Sequence, residues 1–377
     1  MIPYGRQIID EDDIQAVVEV LRSDWLTTGP GVQVFEDGLA RYVGARYAVA
    51  VSSGTAALHA AMFALEIEPG DEVIVPPMTF AATANCVVYR GGTPVFVDVE
   101  QDTLLIDPRK IEEKITPRTR AIIAVDYTGQ PCDWDALHAI AVRHGLKLVA
   151  DACHSLGGEY KNRKCGTLAD LNVFSFHPVK HITTGEGGMI TTDDPDLAAR
   201  MRIFRNHGIT TDHRQREAKG SWFYEMIELG YNYRITDIQC ALGMSQLEKM
   251  PAWLARRREI ALLYDEAFSE MPSINPLEVR PDVHHAYHLY VVRLDRSRPG
   301  PSREEVFTGL RSRGIGVNVH YIPVHLHPFY KKNYRTHPGM CPVAEDAYES
   351  IFSLPMYPGM SDCDIQTVIR SVQDLCR

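Results

Sequence analysis

The sequence predicts an α/β protein: a mostly parallel sheet covered by helices on both faces, followed by a smaller α+β domain. Two observations predict it. Short apolar, β-branched runs recur through the first two thirds of the chain, and helical stretches separate several of them. That alternation is how a parallel sheet buries both of its faces. Past about residue 245 the alternation gives way to a long charged helix and a few separate apolar runs. The expected division is 1–245 for the larger domain, with its N-terminal segment, and 246–377 for the smaller one.

Asp12 and Asp13 open an amphipathic helix that carries Ile14, Val17, Val18 and Leu21 at helical spacing. WLTTGP (25–30) breaks it with Gly and Pro. AVAVSSGTAALHAAMFAL (48–65) reads as a strand, a turn at Ser52-Ser53-Gly54 and an Ala-rich helix. EVIVPPMTF (72–80) is a buried strand ended by prolines, and TPVFVDV (93–99), RAIIAVDYTG (120–129) and LKLVADACH (146–154) are further strands. WDALHAIAVRHG (134–145) is a helix between two of them, and LNVFSF (171–176) and GGMITT (187–192) add two more strands. TTDHRQREAKGS (210–221), before Trp222-Phe223-Tyr224, reads as a mobile surface loop. SQLEKMPAWLARRREIALLYDEAF (245–268) reads as one long helix whose Arg256-Arg257-Arg258 form a solvated face beside Glu259. HLYVVRL (288–294), a helix near 302–313, GVNVHYI (316–322) and a last helix over 361–376 complete the smaller domain.

The chain has 377 residues, 45% of them hydrophobic and 23% charged, which supplies a sizeable core. A net charge of -10 argues against nucleic acid as a general partner, because phosphate backbones attract basic surfaces. The eight cysteines contain no CxxC pair and read as free buried thiols. The start, MIPYGRQIIDEDD, has no basic stretch followed by an apolar one, so no secretory signal is expected. No run approaches the roughly 18 apolar residues of a membrane span. The expected location is cytoplasmic, with no membrane partner. Trp134, Trp222 and Trp253 read as packing residues, and a metal reading of His284, His285 and His288 lacks the carboxylate or Cys pattern that would support it.

Three features fall at strand ends, where open α/β sheets bind ligands. SSGTAAL (52–58) ends a strand and starts a helix, so backbone N–H groups and the hydroxyls of Ser53 and Thr55 can hold a phosphate. Taken alone, the same residues read first as a plain capped helix start. Asp151 follows the run LKLVA and can bind a metal, pair with a cation or cap a helix, with His154 three residues on. Lys180 follows the next strand and precedes three glycines, and a lysine amine held in a pocket can form a Schiff base with a carbonyl. A phosphate cup, a carboxylate for a pyridine nitrogen and a lysine have one common explanation, pyridoxal phosphate. The glycines would let backbone pass close to that cofactor.

Motifs along nearly the whole chain carry a resemblance to a known family. They are WLTTGP (25–30), FEDGLARYVGARYAVAVSSGTAALHAA (35–61), PGDEVIVPPMTFAATANC (69–86), DACHSLGGEY (151–160), FSFHPVKHITTGEGGM (174–189), GYNYRITDIQCALG (230–243) and HYIPVHLHPFY (320–330). The chain resembles the DegT/DnrJ/EryC1/StrS sugar aminotransferases, which are fold-type-I pyridoxal-phosphate enzymes. That fold implies a mostly parallel seven-stranded sheet between helices. FSFHPVK-x-ITTGEGGM (174–189), YEMIELGYNYRITDIQ (224–239) and RGIGVNVHYIPVHL (313–326) are most similar to the branch that aminates C4 of a UDP-4-keto-6-deoxy-N-acetyl sugar in pseudaminic acid biosynthesis.

The resemblance implies the residue roles. Lys180 would be the Schiff-base lysine and Asp151 the partner of the pyridine nitrogen. His154 would lie near the cofactor's phenolic oxygen, and Phe80 would stack on its ring. Gly54, Thr55 and Ser175 would hold the phosphate, helped by Asn232 from the other subunit of a homodimer. Tyr4, Trp25, Thr27, Asn318, His320 and Tyr321 match segments that line the nucleotide-sugar site. Glutamate is the implied amino donor, with ping-pong transfer. The chain departs from many relatives at Ala150, His181 and His327, none of which is Lys180 or Asp151. Other readings are an aminotransferase for another keto nucleotide sugar, a dehydratase of the same fold and a non-catalytic regulator. The dehydratases carry His in place of the lysine, and a regulator needs no intact Lys180–Asp151 pair.

Overall fold

The computed structural model describes residues 1–376. Thirteen strands are present among them: β1 (Tyr47–Val51), β2 (Glu72–Val75), β3 (Thr93–Phe96), β4 (Thr119–Val125), β5 (Lys147–Asp151), β6 (Glu159–Tyr160), β7 (Arg163–Lys164), β8 (Leu171–Ser175), β9 (Gly188–Thr192), β10 (Ile274–Pro276), β11 (Val283–His284), β12 (Tyr290–Leu294) and β13 (Ile351–Leu354). Seven form the main sheet in the order β1-β9-β8-β5-β4-β2-β3. The pairings β2–β3, β2–β4, β4–β5 and β5–β8 are parallel, and β9 alone runs against its neighbours β1 and β8. β1, β2, β4, β5, β8 and β9 are buried along nearly their whole lengths, as a sheet covered on both faces requires. All seven were legible as apolar runs in the sequence.

Ala57, Ala60, Ala61 and Met62 of the helix Gly54–Ala64 are fully buried, so this helix lies inside the main core. A second apolar core is built from Ile260, Tyr264 and Phe268 of the helix Met250–Phe268, with Val306, Leu310, Val292, Phe352 and Val372. Its three-stranded sheet has the order β10-β12-β13. Residue Ile2 packs against this second core and pairs with Ile315, so the start of the chain lies on it. No helix among the described residues is long and apolar enough to cross a membrane. Six of the eight cysteines are buried and all are free.

Several expectations are corrected. The long helix expected over 245–268 is two helices, Asp237–Glu248 and Met250–Phe268. Pro251 has no N–H to give to a helix interior, so it sits in the first turn of a new helix. At the break, the Lys249 amine bonds Asp10 and lies 2.9 Å from the buried Asp13 carboxylate. Arg257 is not on a solvated face. It is buried and donates to the carbonyls of Tyr287 and Met356, each at 2.9 Å, and burial pushes its pKa down to about 10. Residues 210–221 are not a structureless loop: Asp212 and Gln215 form a capping box on a short helix, His213–Ala218. Trp134 is a packing residue, but Trp222 is 85% exposed. GVNVHYI (316–322) forms no strand and contributes one bridge, Asn318 with Ser353.

Replacing Arg257 with Met strands two or three buried carbonyls, so Arg257→Met should lower unfolding stability by about 2–3 kcal/mol. A urea midpoint equal to that of the parent protein would show that these bonds contribute nothing.

Candidate active site

The carboxyl ends of β1, β5 and β8 meet at one edge of the sheet. Asp151 stands opposite Val173 in the parallel register, while Ser175 and Val51 both stand opposite Gly188 of β9. The turn after β1 packs into this edge. A Cβ on Gly188 would collide with the Ser53 carbonyl, and one on Gly54 would lie 2.8 Å from the Ser175 Cβ. The protein's own backbone thus already requires glycine at 188. The Ser53 hydroxyl accepts the Ala56 N–H at 3.1 Å and caps the helix, which leaves its own O–H as a donor. The N–H groups of Gly54 and Thr55 belong to the first turn, which a helix cannot satisfy internally.

Asp151 is 6% exposed. One of its oxygens accepts the Thr83 hydroxyl at 2.7 Å, and the other accepts the Cys153 N–H at 3.3 Å. Thr83 in turn bonds Thr79 at 2.7 Å. No helix follows Asp151, which removes the N-cap reading. Lys180 ends a turn closed by its own N–H on the His177 carbonyl at 2.9 Å. Its side chain is half-buried, and its amine makes no ion pair among the described residues. Burial lowers the pKa of this amine below the ordinary 10.5, and Cys153 and Asp151 oppose that shift.

Four imidazoles surround the pair. His154 bonds the Tyr321 hydroxyl through Nε2 at 3.1 Å, and its buried Nδ1 makes no hydrogen bond among the described residues. His288 packs on His154 with ring centroids 4.5 Å apart, and His181 bonds the Ala286 carbonyl at 2.9 Å. Burial drives the pKa of His154, His181 and His288 well below 6.5, and the nearby Lys180 adds to this. His320 is pushed down to about 3 by burial and then by Lys180. It bonds Ser353 at 2.8 Å and Asn318 at 3.3 Å, and its ring lies 5.5 Å from that of Tyr4. Tyr4 also bonds Asn318. Phe80 is 62% exposed and sits 6.2 Å from the Tyr321 ring.

Of the residues singled out in the sequence, Lys180, Asp151, His154, Gly54, Thr55, Ser175, Phe80, Tyr4, Asn318, His320 and Tyr321 therefore gather around this edge. Trp25, Thr27 and Asn232 belong to a neighbouring group. Thr27 bridges Thr236 and Asn232 bridges Asn206, while Asp237 holds the turn between them through the N–H groups of Gly29 and Gly31. The Tyr233 carbonyl accepts the Ser52 N–H at 2.8 Å, which ties this group to the turn after β1. Sequence reading missed Thr83 and Tyr127, and it weighed His288 only as a metal ligand. The Tyr127 hydroxyl donates to the His320 carbonyl. Only the position of Tyr127 just beyond the β4 run signalled it.

These residues fit pyridoxal phosphate. Orphaned N–H groups beside Ser175 suit a phosphate, the anchored Asp151 suits a ring nitrogen, and the buried Nδ1 of His154 has a bond to offer. Comparisons with known proteins agree. The model of the DegT/DnrJ/EryC1/StrS aminotransferase family matches residues 7–373. The spore coat polysaccharide biosynthesis protein SpsC of Bacillus subtilis is 44% identical over 100% of this chain and 97% of that protein. Spr1654 of Streptococcus pneumoniae, in its PMP form, superposes with a TM-score of 0.94 at 34% identity, covering 100% of this chain and 99% of that one. Helicobacter pylori PseC, an aminotransferase involved in the biosynthesis of pseudoaminic acid, gives 0.92 at 34% identity, with 100% and 99% covered. The chain belongs to the DegT/DnrJ/EryC1/StrS aminotransferase family and is a pyridoxal-phosphate-dependent sugar aminotransferase.

Proposed function

We propose that this enzyme moves an amino group from glutamate to C4 of a UDP-4-keto-6-deoxy-N-acetylhexosamine, the step of the pseudaminic acid pathway. The observation that carries the reading is the placement of Lys180 and Asp151 beyond adjacent strand ends, with the amine free of any ion pair among the described residues. The similarity to PseC and the match of residues 313–326 to that branch support the substrate. SpsC, at 44% identity, favours a second reading, a different keto sugar destined for a surface polysaccharide.

Bound pyridoxal phosphate supplies a carbonyl that carries the amino group and an electron sink for the α-carbon. Lys180 Nζ holds the cofactor, and its lowered pKa favours the neutral, nucleophilic amine. Once free, the same nitrogen would take the proton from the donor's α-carbon as general base and deliver it to the cofactor's carbonyl carbon as general acid. Asp151 holds the ring nitrogen, with Thr83 and the Cys153 N–H fixing its orientation. Gly54, Thr55 and Ser175 would hold the phosphate, and Phe80 would cover the ring. Tyr4, Asn318 and His320, joined to one another, orient the sugar nucleotide together with Trp25 and Thr27.

A homodimer in which Asn232 reaches the neighbouring site fits the exposed apolar run Trp222, Phe223, Tyr224, Met226, Ile227 and Leu229. Sedimentation at micromolar concentration should show a dimer, and a monomer there would remove this part of the reading. Borohydride reduction of the holoenzyme should leave the cofactor on the peptide that contains Lys180. Lys180→Ala should retain no label and no transaminase turnover, and near-normal turnover would overturn the assignment. For the substrate, the enzyme with glutamate should aminate the L-arabino epimer of the keto sugar, with matching release of 2-oxoglutarate. Preference for the D-xylo epimer would move it to a neighbouring pathway. No amine from either epimer would favour the second reading.

A further inference from the structure

We propose that Tyr321 is a positioning residue whose hydroxyl donates to Nε2 of His154, fixing the imidazole proton on Nδ1 so that this N–H bonds the phenolic oxygen of the bound cofactor. The inference rests on the reading of Lys180 and Asp151 as the cofactor site. It adds what sets the protonation of His154 there, and it gives Tyr321 a task other than lining a sugar site.

The geometry is specific. The hydroxyl lies 3.1 Å from Nε2, and the two rings are nearly parallel, at 24°. His154 is 5% exposed, and none of the described residues bonds its Nδ1. His288 packs on the imidazole without hydrogen-bonding it. Burial raises the Tyr321 phenol well above 10.0 and lowers the His154 imidazole well below 6.5, so both groups are neutral and carry one proton each.

Two arrangements are open to a neutral imidazole, which has one donor and one acceptor. With Nε2–H donating to the phenol, Nδ1 becomes a buried bare acceptor, and the phenolic proton also needs a partner. With the phenol donating, a single N–H is left over, on Nδ1. A pyridoxal phenolate is an acceptor only, so the second arrangement satisfies every group once the cofactor is bound and the first does not. The phenol is itself held in place. The Tyr321 N–H reaches the Met78 sulfur at 3.4 Å, the Tyr127 ring lies 6.4 Å away, and the Tyr127 hydroxyl fastens the preceding carbonyl, that of His320.

The test is the pH at which the visible absorbance of the bound cofactor changes in the holoenzyme. A donor on the phenolic oxygen competes with the neighbouring Schiff-base proton for the same lone pairs. Losing it lets that proton be held more tightly, so the midpoint rises. Tyr321→Phe should raise it by roughly one pH unit, the size of one hydrogen bond to a charged group. His154→Phe should raise it at least as far, and Tyr321→Phe should then add nothing in that background. An unshifted midpoint in Tyr321→Phe with the band intact overturns the inference. So does a full second shift in the His154→Phe background, which would make the two residues independent. A wild-type holoenzyme with no pH-sensitive band overturns it together with the Lys180 reading, and the borohydride label on Lys180 tells that failure from the others.

Discussion

The parallel pairing of β5 with β8 sets where every other group at the site can stand. It brings the end of β5 and the turn beyond β8 to the same edge, so a carboxylate and an amine 29 residues apart in the chain face one space. Parallel pairing requires a crossover between the strands, and the chain uses it for the 152–170 segment that carries Cys153, His154 and Ser155. Ser155 then bonds the fully buried Asp126 at 2.7 Å, and Asp126 also accepts the Cys132 N–H, tying that crossover to the end of β4. A slip of one residue in the β5–β8 register would turn Asp151 to the other face of the sheet, away from Thr83. The polar residues fix the register, since a slip would take Asp151 from Thr83 and Asn172 from the Leu168 and Ala169 N–H groups that it accepts.

Around that edge the protein spends burial on keeping imidazoles neutral. His154, His181, His288 and His320 are all displaced downward with desolvation as the first cause, and each also feels Lys180. Four protonated rings beside one amine would repel it and one another. Neutral rings instead offer directional donors and acceptors whose arrangement is set by neighbours: Ala286 for His181, Ser353 for His320 and Tyr321 for His154. Lys180 and Asp151 are thus left at the centre without four cationic rings crowding the amine.

Those two residues were legible in the sequence because each breaks a local expectation. A lysine after a buried run, and an aspartate ending another, are out of place unless something uses them. The seven strands of the main sheet were legible from the same runs. What the sequence did not show is what long-range contact alone decides. Thr83 looks like any helix hydroxyl until the fold brings Asp151 to 2.7 Å. Arg257 sits among charged neighbours and differs from them only because three carbonyls from residues 287, 288 and 356 converge on it. Pro251 is the exception: its missing N–H announced the helix break, and the charge pattern around it masked the signal. Of the three glycines after Lys180, Gly188 carried a true signal of close approach, but composition could not say that the approaching group was the Ser53 carbonyl.

The site is assembled from two cores. Asp151, His154, Gly54 and Ser175 belong to the main sheet and its crossovers, whereas Asn318 and His320 are fastened to Ser353 of β13, whose neighbours Phe352 and Leu354 pack in the second core. Tyr4 joins them from the start of the chain, its carbonyl accepting the Met356 N–H at 3.0 Å. In the proposed reading the first set meets the cofactor and the second meets the sugar nucleotide. Substitutions in the second core can then reshape the sugar pocket while Asp151 and Lys180 keep their places on the sheet. Tyr321 and Tyr127 are where the two sets touch, one through His154 and the other through the His320 carbonyl. A change in how the second core sits would therefore reach the cofactor first through the His154–Tyr321 bond, before it disturbed the carboxylate or the amine.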